Sequence, residues 1–157
     1  MTGFRRGVRL GVDVGKARVG VARCDRDGLL AVPVETVART DAAAARIAAL
    51  ATEYEAFELL VGLPVGRSGG DTASTDDARA FAAELATATG LPVRMVDERL
   101  STVSAHAALR SAGRSQKSSR RIVDQVAAVV LLQQAIDVEK STGTPAGAVL
   151  PETQEPA

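Results

Sequence analysis

The stretch VRLGVDVGKARVGVA, residues 8–22, decides how the rest of the chain can fold. It holds two apolar runs, 8–14 and 19–22, joined by Gly15, Lys16, Ala17 and Arg18. Short β-branched runs on either side of a glycine-containing turn read as a β-hairpin. Asp13 falls inside the first run, just before the turn. A carboxylate at the end of a buried central strand needs a cation or a hydrogen-bonding turn to offset its desolvation. On this stretch alone two readings are open, a ligand and an aspartate that caps its own turn.

Beyond the hairpin, Asp25-Arg26-Asp27-Gly28 marks a turn and 29–37 reads as a third strand, which completes an antiparallel meander. Thr40 or Asp41 is expected to cap an alanine-rich helix ending near Tyr54. FELLVGL, residues 57–63, is a continuous apolar run suited to a strand covered on both faces and closed by Pro64. Residues 65–75 are rich in glycine and serine and read as a mobile loop. A second helix is expected over 76–89, stopped by Gly90. Residues 91–96 read as a strand leading directly into Asp97-Glu98-Arg99, followed by a short helix over 102–112 and a basic loop over 113–119. A long helix over 122–139 carries Asp124 in its first turn, and 141–157, rich in Pro, Gly, Thr and Glu, reads as a disordered tail. This order predicts one α/β domain over 1–140 with a mixed five-stranded sheet. Strand one is central, the hairpin strands lie to one side and two parallel crossover strands to the other, with helices on both faces.

With 157 residues, 46% apolar and 24% charged, the chain can bury a core of its own. No apolar run approaches the roughly 20 residues of a membrane span, and the N-terminus lacks the pattern of a signal peptide. The single cysteine, Cys24, rules out an internal disulfide and reads as a small apolar residue ending a strand. These features predict a cytoplasmic protein with no membrane partner.

A net charge of zero hides an asymmetry. The first 24 residues carry Arg5, Arg6, Arg9, Lys16, Arg18 and Arg23 against Asp13 alone, and no acid lies between Arg99 and Val123. Such segregation predicts a side that faces a polyanion. The ends of strands one and five can bring Asp13 together with Asp97 and Glu98, and the last helix can add Asp124. Converging carboxylates raise one another's pKa unless divalent cations neutralise them. Oxygen ligands without His or Cys select Mg²⁺ or Mn²⁺ over zinc, and two such ions about 3.5–4 Å apart hydrolyse phosphodiesters. Asp13, Glu98 and Asp124 are therefore the candidate catalytic metal ligands, with Asp97 as an outer-shell group or a helix cap. The alternative for Asp124 is a favourable charge at a helix N-terminus. Lys16, Arg18 and Arg99 are placed to neutralise phosphate, and Arg114, Lys117, Arg120 and Arg121 to grip the backbone further out. His106 has no partner spacing that supports catalysis and reads as a helix surface residue.

The segments GVDVGKARVGVA (11–22), VGLP (61–64), VDERLST (96–102) and VDQVAAVVLLQ (123–133) resemble, in order and spacing, those of the YqgF (RuvX) family. These are pre-16S rRNA nucleases similar to Holliday junction resolvases. The resemblance implies an RNase H-like fold and metal-dependent cleavage, with Asp13, Glu98 and Asp124 at the family's acidic positions. It also implies a role at the 5′ end of 16S rRNA, with ribosome-assembly intermediates as partners, or alternatively the cutting of four-way DNA junctions. Val14 stands where many members have proline, and Ser101 where many have threonine.

Two rival readings are weaker. The strand–Asp–x–Gly opening also resembles the phosphate hairpin of actin-like ATPases, but the chain lacks room for their second lobe. A non-catalytic binding module is disfavoured by the intact set of acids. With no Trp, one Tyr and three Phe, base stacking is poorly supplied. Recognition by shape and charge then suits a structured nucleic acid, bound by a monomer or a homodimer.

Overall fold

The computed structural model describes residues 4–64, 72–97 and 116–150, with the backbone alone described for 116–124. β1 (Val8–Val14) and β2 (Arg18–Cys24) pair antiparallel from Leu10↔Arg23 to Val14↔Val19. The Gly15 N–H donates to the Arg18 carbonyl at 2.8 Å to close the turn. A Cβ at Gly15 would stand 2.7 Å from that oxygen, so glycine is required there. β3 (Ala31–Ala38) adds antiparallel to β2, with a register shift between Val21 and Ala22. α1 (Ala43–Glu53) returns the chain so that β4 (Ala56–Leu63) lies parallel to β1. α2 (Ala73–Thr89) does the same for β5 (Val93–Asp97) beside β4. α3 (Gln116–Thr142) crosses the sheet, and β6 (Ala148–Val149) closes against β5 antiparallel. Among the described residues the order is β3-β2-β1-β4-β5-β6. None of the described helices is long and apolar enough to cross a membrane.

Strand alternation divides β1 between two cores. Leu10 and Val12, fully buried, pack with Ile47, Leu50, Phe81 and Leu85 beneath α1 and α2. Residues 9, 11 and 13 turn to the opposite face, where Ala22, Leu60, Ala128, Leu132 and Ile136 form the core under α3. At Gly11 the helix and the strand nearly touch, since a Cβ there would lie 2.9 Å from the Ala128 carbonyl oxygen and from Leu132 Cβ.

Several expectations change. The sheet has six strands rather than five, because Ala148 and Val149 pair with Met95 and Arg94 and the Leu150 N–H reaches the Val93 carbonyl at 2.7 Å. Residues 141–150 of the expected tail are therefore placed, first by the end of α3 and then by β6. α1 starts after Ala42 with no side-chain cap, and the Thr40 hydroxyl instead accepts from the Ala42 N–H. α2 starts at Ala73, three residues early, because Thr72 and Thr75 cap each other reciprocally. Gly90 ends it in a left-handed conformation, as expected. α3 starts at Gln116 rather than 122, which moves Asp124 out of the first turn. The helix expected over 102–112, with His106, lies outside the described residues.

Two arginines of the basic N-terminal stretch, Arg5 and Arg9, are engaged by internal acids. Arg9 is 1% exposed and both oxygens of Glu139, itself 3% exposed, accept from its guanidinium at 3.2 Å. Arg5 joins Glu139 at 2.8 Å and Glu58 at 2.9 Å, and Arg94 reaches Glu58 at 2.8 Å. Arg9 also stacks over Phe4 and Phe57, while Arg6 pairs with Asp27 at the surface. Cys24 is buried and accepts the Arg9 N–H at 3.3 Å.

Burial alone would raise the Glu139 pKa, but hydrogen bonds from Arg5 and the charge of Arg9 hold it at about 2. With the folded value below the unfolded one, this pairing stabilises the fold fully above the unfolded carboxylate pKa. The contribution is lost as pH falls through the folded value. Urea titrations are expected to show stability declining from about pH 5 toward about pH 2. Glu139→Gln should lose roughly 3–5 kcal/mol at neutral pH and flatten that decline. Gly11→Ala should cost about 1–3 kcal/mol by forcing α3 off β1, and an unchanged urea midpoint would refute the close contact.

Candidate active site

Open α/β sheets bind ligands beyond the carboxyl ends of their parallel strands, here β1, β4 and β5. Asp13 is the penultimate residue of β1, half-buried and of the same parity as Arg9 and Gly11, so it faces α3. Its partner on β2 is Gly20, and Gly20 pairs in turn with Thr36 on β3. On the other side Val12 pairs with Val61, and the next residue of β4 is Gly62. Glycine thus borders Asp13 on both neighbouring strands.

α3 runs opposite to β1, with Glu139 at Arg9 and with Leu132 and Ala128 over Gly11. From Gly11 to Asp13 is about 6.6 Å along the strand, close to the 5.4 Å rise of one helical turn. One turn before Ala128 is position 124. The Gln125 amide confirms that course, donating to the Thr36 hydroxyl at 2.7 Å in the same cross-strand row as Asp13. The backbone of α3 therefore runs toward the carboxyl end of β1 at position 124, and eight residues of helix precede it. The helix-terminus reading of Asp124 falls away, since helix-end charge effects are confined to the first turn.

Asp97 does not join this group. It ends β5 with the parity of Val93 and Met95, which pack toward α1 and α2, whereas Val96 packs toward α3. Glu98, Arg99 and Arg114 lie outside the described residues, as do the side chains of Lys117, Arg120, Arg121 and Asp124. Among the described residues no three His, Cys, Asp or Glu side chains form a metal-binding group. The Asp13 carboxylate, flanked by glycines, supplies the oxygen donors that a hard cation prefers.

The turn beside Asp13 is fastened by a residue that sequence reasoning passed over. The Arg39 N–H donates to the Ala17 carbonyl at 2.9 Å, and its guanidinium donates to the Gly15 carbonyl at 2.9 Å. The same guanidinium forms a two-pronged pair with Asp77 at 2.9 and 2.8 Å and lies 4.6 Å from the centre of the Phe81 ring. Lys16 is exposed at the tip of this turn, and Arg18, half-buried, opens β2. A cleft of about 550 Å³ opens below the turn, lined by Lys16, Arg39, Asp41, Asp77 and Glu84 among others. Carboxylates outnumber cations there, which disfavours a polyanion.

Residues 7–138 match the profile of a family described as RuvX: Holliday junction resolvase. The chain belongs to the RuvX family. A relative from Clavibacter michiganensis subsp. michiganensis, named "Putative pre-16S rRNA nuclease", is 57% identical over 94% of each chain. One of the same name from Streptomyces coelicolor is 50% identical over 92% of this chain and 88% of its own. RuvC of T. thermophilus, solved in complex with a Holliday junction substrate, superposes with a TM-score of 0.55 at 17% identity. That match covers 88% of this chain and 98% of RuvC. The likeness bears out the RNase H-like fold.

In this RuvX chain the Arg39 clamp predicts a measurable change at the turn. Arg39→Gln should cost about 1 kcal/mol, since the pair with Asp77 is partly solvated. Amide exchange at Gly15, whose N–H closes the turn, should accelerate. Slow exchange at Gly15 in the variant would show that Arg39 acts only through Asp77 and Phe81.

Proposed function

We propose that this chain is a metal-dependent endonuclease that processes the 5′ end of pre-16S rRNA. As a RuvX-family nuclease the chain is a hydrolase of phosphodiester bonds. The observation that supports the metal-dependent reading is the row Asp13–Gly20–Thr36, which Gln125 joins to α3 one residue beyond position 124. Asp13, Glu98 and Asp124 would hold Mg²⁺ or Mn²⁺. Glu98 enters this set by sequence, as the residue that directly follows β5. β5 lies two strand spacings from β1, about 10 Å, a gap that two carboxylates and a pair of ions can span. When bound, such ions activate a water and stabilise the leaving oxygen.

The chain's own groups supply position and charge. Asp13 sits on the central strand, where backbone pairing on both sides restricts its motion. Lys16 and Arg18 enter from the clamped turn, with Arg99, to neutralise phosphate. Positions 117, 120, 121 and 124 recur at helical spacing and form one stripe of α3, in line with Ala128 and Leu132. α3 extends eight residues before Asp124, about 12 Å of helix. Lys117, Arg120 and Arg121 on this overhang, with Arg114, are assigned to backbone phosphates beyond the cut. Ribosome-assembly intermediates are the partners this substrate implies.

A second reading, cleavage of four-way DNA junctions, is favoured by the family's description and by the complex in which RuvC was solved. The test presents wild type and Asp13→Asn with pre-16S rRNA and with a four-way junction, with and without Mn²⁺. Wild type is expected to cut the rRNA only with metal, and Asp13→Asn to lose several orders of magnitude in rate while still binding. Preferential, paired cutting of the junction by a two-fold dimer would favour the second reading. Cleavage indifferent to metal or to Asp13 would overturn both.

A further inference from the structure

The described contacts that dock α3 lie mostly toward its C-terminal part, where the Gln133 side chain accepts from the Ala31 N–H and Lys140 donates to the Gly28 carbonyl. Glu139 ties the far end to Arg5 and Arg9, and Ala128 and Leu132 rest on Gly11. All of these contacts lie C-terminal to position 124. The Gln125–Thr36 hydrogen bond, 2.7 Å between residues 89 apart in sequence, ties the helix to β3 immediately beside position 124. Both residues are half-buried, and Thr36 stands two strands from Asp13 in the same row, with only Gly20 between them.

Successive residues of an α-helix are turned by about 100°, while residues four apart share a face. With Gln125 held toward β3, position 124 shares the face of Ala128, which rests on β1. From this geometry we propose that Gln125 and Thr36 are positioning residues, setting the roll of α3 so that Asp124 meets Asp13 around a divalent cation. The proposal rests on the reading of Asp13 and Asp124 as ligands. Neither Gln125 nor Thr36 need touch metal or substrate.

The test is Mn²⁺ titration by calorimetry on the full chain, with metal-free thermal unfolding alongside. Gln125→Met and Thr36→Val keep shape and remove the hydrogen bond. Each is expected to weaken Mn²⁺ binding about tenfold, or about 1.4 kcal/mol, with little change in the metal-free melting temperature. The double variant should be no weaker than either single one, because both remove the same interaction. Thr36→Ser, which retains the hydroxyl, should bind as wild type does. Wild-type affinity in both single variants, additive losses in the double variant, or failure of Thr36→Ser to restore binding would overturn the proposal. Asp13→Asn separates the two levels. If it abolishes Mn²⁺ binding while the Gln125 and Thr36 variants bind normally, the positioning role alone is wrong. If it binds Mn²⁺ normally, the ligand reading beneath it is wrong as well.

Discussion

α3 lies directly on β1, with no side chain between them at Gly11. Any β-carbon at that point would lift the helix and carry residues 124 and 125 away from the row that holds Asp13. The strand and the helix run in opposite directions, so the contact works as a fulcrum. Charged side chains lock one arm, from Ala128 to Glu139, and a single hydrogen bond to β3 steadies the other. The acidic end of the sheet thus inherits its geometry from contacts made well away from it.

The same alternation that sends Asp13 toward α3 sends Arg9 there too. A slip of one residue in β1 would turn Arg9 and Asp13 into the apolar core beneath α1 and α2 and expose Leu10 and Val12. Burying Arg9 and Glu139 adds little stability over well-packed apolar groups, but it makes such a slip prohibitive. Leaving either charge without its partner in the interior would cost several kcal/mol. The ion cluster at the amino ends of the parallel strands therefore acts on the carboxyl ends by fixing which residues face which layer.

Much of this was legible in the chain. The hairpin followed from β-branched runs around Gly15, the central place of β1 from the order of elements, and Asp13 from the oddity of a carboxylate in that run. What stayed hidden depended on distant partners. Arg5 and Arg9 resembled a surface for polyanions because their acids, Glu58 and Glu139, lie far along the chain, and Glu58 sits inside an otherwise apolar run. The first turns of α3, QKSSRR, carry almost no apolar period, so the expected helix starts six residues late. Arg39 and Gln125 carry no local signal, since each gains its role from a contact across the fold.

The two-residue strand β6 has a further consequence for how copies of the chain meet. It occupies the outer hydrogen-bonding groups of β5 at Arg94 and Met95, which would otherwise offer a ready template to an extended peptide. The opposite margin is β3, where Pro33 lacks a donor and the register shift bends the ladder. With one margin occupied and the other irregular, the sheet resists continuing from one copy into the next. A highly apolar central β-layer is thereby kept from seeding fibrous aggregates.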